Sequence, residues 1–246
     1  MKKLTLLTLI AGLAGSIAAH GAFPGPFDGE VRIDPTPSGA GGANGGGAFL
    51  ATVVSGLGNV VSDPGGSFLT FCIERNEYIS FPSNPANRVY DVNLANSSSR
   101  GGIAGGSPDP ISLATAWLYS KFRDGSLIGV GGFTGNSASH SALQNAIWYL
   151  EQELGVSGAP AFSTAATSLV QAAIDDLGLT WANVQSTPAN GEFNVRVMRL
   201  YNGPSADAEG YNQDMLAIVP EPSTYIAGGL ALLPLLFGLR ARWQKK

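Results

Sequence analysis

Residues 139–154 read Ser-His-Ser-Ala-Leu-Gln-Asn-Ala-Ile-Trp-Tyr-Leu-Glu-Gln-Glu-Leu, and their apolar spacing decides the fold class. Leu143, Ala146, Ile147, Leu150 and Leu154 fall at i, i+3, i+4, i+7 and i+11, one continuous helix face. Ser139 or Ser141 can cap its start, and Gly155 is a stop at its end. Upstream, Pro110-Ile111-Ser112 opens a helix in which Ala114, Leu118 and Phe122 recur every four residues. Downstream, a third helix spans residues 163–177, with Val170, Ile174 and Leu177 on one side and Gly178 beyond it. Around this helical block the period drops to two. Glu30-Val31-Arg32-Ile33 alternates, and residues 48–54, 67–74 and 88–92 are rich in aromatic and β-branched side chains. Phe193, Val195 and Val197 alternate with Asn194, Arg196 and Met198, and residues 215–219 are a candidate final strand. Strands, then helices, then strands predict an α+β fold: a largely antiparallel β-fold with an inserted helical section of about three helices. Leu143, Ile147, Leu150 and Leu154 are expected in its core.

Composition narrows the function. At 246 residues and 44% hydrophobic, the chain suits one domain with processed ends and a true core. Its single Cys excludes a disulfide within the chain and any multi-Cys metal site, and His20 and His140 leave little for a His-based one. No cofactor and no metal are expected.

The charge sits at the ends. Lys2 and Lys3 precede an uncharged apolar run from Leu4 to Ala19, followed by small residues. This is the pattern of a secretory signal peptide over residues 1–22, cleaved between Ala18 and Ala22; the rival is an uncleaved anchor. At the other end, residues 225–239 carry no charge and are followed by Arg240, Arg242, Lys245 and Lys246. Such a segment reads as a short transmembrane helix with its basic end on the cytoplasmic side. The alternative is a buried C-terminal helix. Before it, Pro220 and Pro222 flank Glu221, which keeps the chain extended and accessible. Excluding Glu221 leaves 17 of the 18 acids in residues 23–219, and excluding the six terminal cations leaves 8 of the 14 bases, so this domain is near −9. That balance argues against a nucleic-acid partner.

Residues 220–246, with Pro220-Glu221-Pro222, an apolar helix and an Arg-rich end, resemble the PEP-CTERM sorting signal. The resemblance implies an exported protein of a Gram-negative bacterium. It also implies transient inner-membrane anchoring, processing by an exosortase, and a final place at the cell surface or in a polysaccharide-rich biofilm matrix.

In the domain between the ends, the Gly-rich run 39–47 leads into a strand and lacks the helix start and Lys of a phosphate loop, so it reads as a flexible loop. Asp175, Asp176, Glu151 and Glu153 read as solvated surface. Glu74 and Glu77 are a weak acid/base candidate. His140 has no visible triad and no G-x-S-x-G elbow exists, which argues against a Ser hydrolase. Cys72 lies between Phe71 and Ile73 near the end of a strand; the bland reading is a small buried hydrophobe. An unpaired thiol outside the cytoplasm is an oxidation liability, which raises the question of a covalent partner. Gln144 stands off the apolar stripe on a helix flank shared with Trp148, at the seam between the helix and what it packs on.

Phe71-Cys72-Ile73, and Gln144-Asn145-Ala146-Ile147-Trp148, resemble the two motifs of Gram-positive surface thioester domains, and Ala116-Trp117-Leu118-Tyr119 fits the helix between them. The resemblance implies a bond between Cys72 and Gln144, with Phe71, Ile73, Ala146, Ile147 and Trp148 as apolar support. It implies an adhesion-type protein, not an enzyme, that attaches once to a partner's amine. The alternative is a non-covalent structural or polysaccharide-associated matrix protein.

Overall fold

The computed structural model describes residues 27–36, 47–79, 81–98, 109–154, 161–202 and 211–220. The leader, Glu221, Pro222 and the rest of the tail, Gly155 and most of the Gly-rich run lie outside the described residues. The described chain is α+β. Six strands form one antiparallel sheet: β1 (Gly29–Pro35), β2 (Phe49–Ser55), β3 (Ser67–Thr70), β4 (Val89–Ala95), β7 (Val195–Tyr201) and β8 (Tyr211–Ile218), in the order β3-β2-β1-β4-β7-β8. A short pair, β5 (Ser97–Ser98) and β6 (Asp109–Pro110), leads into the helices. The helices α1 (Leu113–Arg123), α2 (Ser137–Leu150) and α3 (Thr164–Leu177) come between β4 and β7, which are neighbours in the sheet. The helical block is thus an excursion from an otherwise local antiparallel arrangement.

The two outer strands meet. Cys72, just past β3, bridges Met215 of β8. Thr70 Oγ1 donates to the Leu216 carbonyl at 2.7 Å and accepts from the Leu216 N–H at 3.1 Å. The Tyr119 hydroxyl of α1 lies 3.0 Å from the Leu69 carbonyl and 2.9 Å from that of Leu216. Side chains therefore join edges that lack a full ladder, which protects backbone groups an open edge would expose.

Two apolar clusters result. Period-two alternation sends Phe71, Ile73, Val195, Val197 and Leu216 to the helix side, where they meet Leu143, Ala146, Ile147 and Leu150 of α2. The intervening Cys72, Met198, Leu200, Met215 and Ala217 join Val31, Ile33, Phe68, Tyr90 and Val92 on the sheet's other face. Trp148 of α2 belongs to this second cluster.

Several details differ from the sequence reading. α2 starts earlier, capped by the Asn136 side chain on the Ser139 N–H, and ends at Leu150. Its apolar period runs on to Leu154, but the chain turns at Gln152, whose φ is 63°, and leaves Leu154 half-buried. The turn carries Glu151 and Glu153 inward, so both are buried rather than solvated. Asp175 and Asp176 are exposed, as read, and Asp176 also accepts the Trp117 indole N–H at 2.6 Å. β3 stops at Thr70, because Cys72 pairs with β8 instead of continuing beside β2. α1 begins just after Ser112, and α3 runs to the left-handed Gly178, as the sequence puts them; Ser112 and Ser163 cap their starts.

Candidate functional site

The Cys72 segment runs between α2 and β8, and both elements hold it. On the β8 side, the Ile73 N–H donates to the Asp214 carbonyl at 3.0 Å, and the Gln213 side chain donates to the Glu74 carbonyl. Glu77 Oε2 accepts from the Asp214 N–H at 3.2 Å. On the helix side, the turn after α2 returns to the segment, where Glu153 Oε2 accepts from the Arg75 N–H at 2.8 Å. These contacts fix the Cys72 segment between α2 and β8.

Gln144 takes up the polar groups left at this seam. Its Nε2 donates to the Cys72 carbonyl at 2.8 Å, and its Oε1 accepts from the Cys72 N–H at 3.1 Å. The same oxygen accepts from the Gly47 N–H at 2.9 Å. Gln144 is 1% exposed and Cys72 3%. The carboxamide thus lies face to face with the backbone of the one cysteine, in a dry site. Such a buried amide is stable only because its donor and acceptors are matched.

The thiol shares these surroundings. Burial pushes Cys72 up to about 12, opposed by the Gly47 N–H, reinforced by the Glu77 carboxylate and opposed again by its own N–H. The thiol therefore stays protonated, beside a carboxamide that holds its backbone and whose oxygen accepts the Gly47 and Cys72 N–H groups.

Phe71, Ile73, Ala146 and Ile147 are 0% exposed and Trp148 3%. Trp148 closes the second cluster on the Cys72 side, and its indole Nε1 is buried with no hydrogen-bond partner among the described residues. Of the weaker candidates, Glu74 is buried and Glu77 half-buried in the segment just described. His140 is packed among Phe71, Phe122 and Phe133, with ring centroids 5.5–6.2 Å apart, a core position. Pro220 is half-buried at the end of the described chain.

Gly47, Glu153 and Tyr119 escaped the sequence reading as parts of this site. Gly47 is hidden in a run of glycines, and only the contact of its N–H with the Gln144 oxygen singles it out. Among the described residues, no group of three or more His, Cys, Asp or Glu could hold a metal, and no helix is long and apolar enough to cross a membrane. Comparison with known proteins finds no matching family model, curated protein or solved structure.

Proposed function

We propose that this chain is an exported surface or matrix protein that attaches to an amine-bearing partner through an internal Cys72–Gln144 thioester. The observation that carries this reading is the Gln144 carboxamide, held by three hydrogen bonds against the Cys72 backbone and the Gly47 N–H inside an apolar seam. The thiol adds to the Gln144 side-chain carbonyl carbon, its proton passes to the side-chain nitrogen, and ammonia leaves. The surrounding Phe71, Ile147 and Trp148 keep water from the acyl bond. A primary amine on a partner then displaces the sulfur and leaves an amide. This is a single attachment, not turnover.

Export rests on the sequence of the two ends: a signal peptide over residues 1–22 and a sorting tail at Pro220-Glu221-Pro222 for an exosortase. The proposed destination is the cell surface or extracellular matrix, after transient anchoring in the inner membrane. Terminal peptide mapping of protein recovered from the culture surface is expected to lack residues before about Ala22. It should also lack the tail, and recovery of Trp243 would refute its removal.

A second reading has its own observation. The three Gln144 bonds are also those of a side chain completing the free edge of a strand segment, as a non-covalent polysaccharide-associated matrix protein would need for stability alone. Intact mass separates the two. The thioester reading expects a chain lighter than its sequence by one ammonia, a deficit absent from Cys72→Ala and Gln144→Ala. Full thiol titration together with an unshifted mass leaves the structural reading in place.

A further inference from the structure

We infer that the N–H groups of Gly47 and Cys72 form an anion-stabilising pocket for the Gln144 carbonyl oxygen, which makes Gly47 a catalytic residue in both the closing and the opening of the Cys72–Gln144 bond. The inference rests on the thioester reading and assigns its rate to particular atoms.

Acyl transfer passes through a tetrahedral species whose former carbonyl oxygen carries negative charge. Two N–H donors aimed at that oxygen in a water-excluded site stabilise it without reorganisation. Here the donors stand 2.9 and 3.1 Å from Gln144 Oε1, and the contacts are buried. They come from the ends of two neighbouring strands: Gly47 lies two residues before β2 and Cys72 two residues after β3. At this point both amides turn to the side chain of α2.

Glycine is needed at 47 for a reason of space. A Cβ there would lie 2.8 Å from the Thr70 carbonyl oxygen and 3.2 Å from the Phe49 ring. Any side chain must therefore displace the backbone that presents the donor. The close approach of this strand end to Thr70 is what delivers the Gly47 N–H to the seam.

The atoms balance in each direction. On closing, the sulfur bonds to the Gln144 side-chain carbon and the carbonyl pair moves to Oε1 in the pocket. The thiol proton goes to Nε2, the carbon–nitrogen bond breaks, and ammonia departs as the carbonyl reforms. On opening, an amine nitrogen bonds to the same carbon and Oε1 again takes the charge. The carbon–sulfur bond then breaks, and the sulfur receives the amine's proton. Both steps load one oxygen, so one pocket serves both.

The test replaces Gly47 by glycolic acid in the full chain, turning the N–H into an ester oxygen with no added side chain. Methylamine incorporation is followed by intact mass, and the acyl carbonyl stretch by infrared spectroscopy. Loss of one such donor should slow incorporation by about 10²–10³-fold. The carbonyl band should also move to higher wavenumber, while the melting temperature holds. Should melting show that the ester chain does not fold, Gly47→Ala carries the test, with the same slowing expected from a displaced donor. A bonded parent chain whose variant reacts at the parent rate overturns the Gly47 role alone. A parent chain of full sequence mass overturns the thioester reading and this role with it.

Discussion

Cys72 is a thiol made unreactive by its position. Burial is the first cause of its elevation to about 12, and the nearby Glu77 carboxylate adds to it. Consider the folded chain after methylamine has opened the proposed bond and released the thiol. At pH 8 the thiolate fraction should be on the order of 10³-fold below that of an ordinary cysteine, because the thiol is pushed up to about 12. Alkylation of folded protein should accordingly be slow, rise with pH up to about 12, and become fast on unfolding. An alkylation profile with its midpoint near 9, the ordinary value, would show that water reaches the sulfur. A lone Cys between large apolar residues and a Gln beside Ala-Ile-Trp are visible as letters. Their hydrogen bonds are not, because they join positions 72 residues apart.

At the scale of elements, α2 is tied to α1 by one buried carboxyl. Glu151, at the end of α2, accepts from the Ser112 N–H at 3.1 Å, from the Ser112 hydroxyl at 2.9 Å, and from the Thr115 hydroxyl. It therefore anchors Ser112, whose hydroxyl caps the first turn of α1 by accepting the Thr115 N–H. Burial raises its pKa from 4.5 to about 7, the hydroxyl and amide donors pull it down, and Asp109 pushes it up again. Because the folded value lies above the unfolded one, the folded chain binds the proton more tightly. The associated stability is fully present below about 4.5 and is lost as pH rises through about 7. The total is about 3 kcal/mol, from the size of the shift. Urea denaturation between pH 4 and 8 (roughly the span of this titration) should show that decline. Glu151→Gln, which keeps the accepting oxygen, should flatten it; an unchanged slope would assign the decline to other groups. The sequence hid this role because the helical period continues through Glu151 to Leu154, while the chain leaves the helix after Leu150.

For the whole molecule, closure between β3 and β8 is the arrangement on which the site depends. Tyr119 reaches from α1 to both edges, and its own pKa is driven to about 12, first by burial. Tyr119→Phe removes the hydroxyl and leaves the Leu69 and Leu216 carbonyls with one donor fewer. The expected cost is about 1–3 kcal/mol, the range for a buried polar group left unsatisfied, measured by equilibrium denaturation with helical content unchanged. A change under about half a kilocalorie, the range of surface substitutions, would mean that Thr70 and the Cys72–Met215 bridge hold the edges by themselves.

The α+β class, the three helices, the Gly178 stop and the choice of Cys72 and Gln144 as residues to question came from the sequence alone. Each is a local property, carried by spacing within about a dozen residues and by a few chemically distinctive side chains. The tertiary structure decided the rest. It brought the outer strands together, buried Glu151 and Glu153, placed Gln144 at the seam of two clusters, and aimed the Gly47 N–H at the Gln144 oxygen. None of these has a local signature, because each depends on strand register and on the turn after α2. Both are settled by packing free energy summed over the whole core rather than by the preference of any one segment.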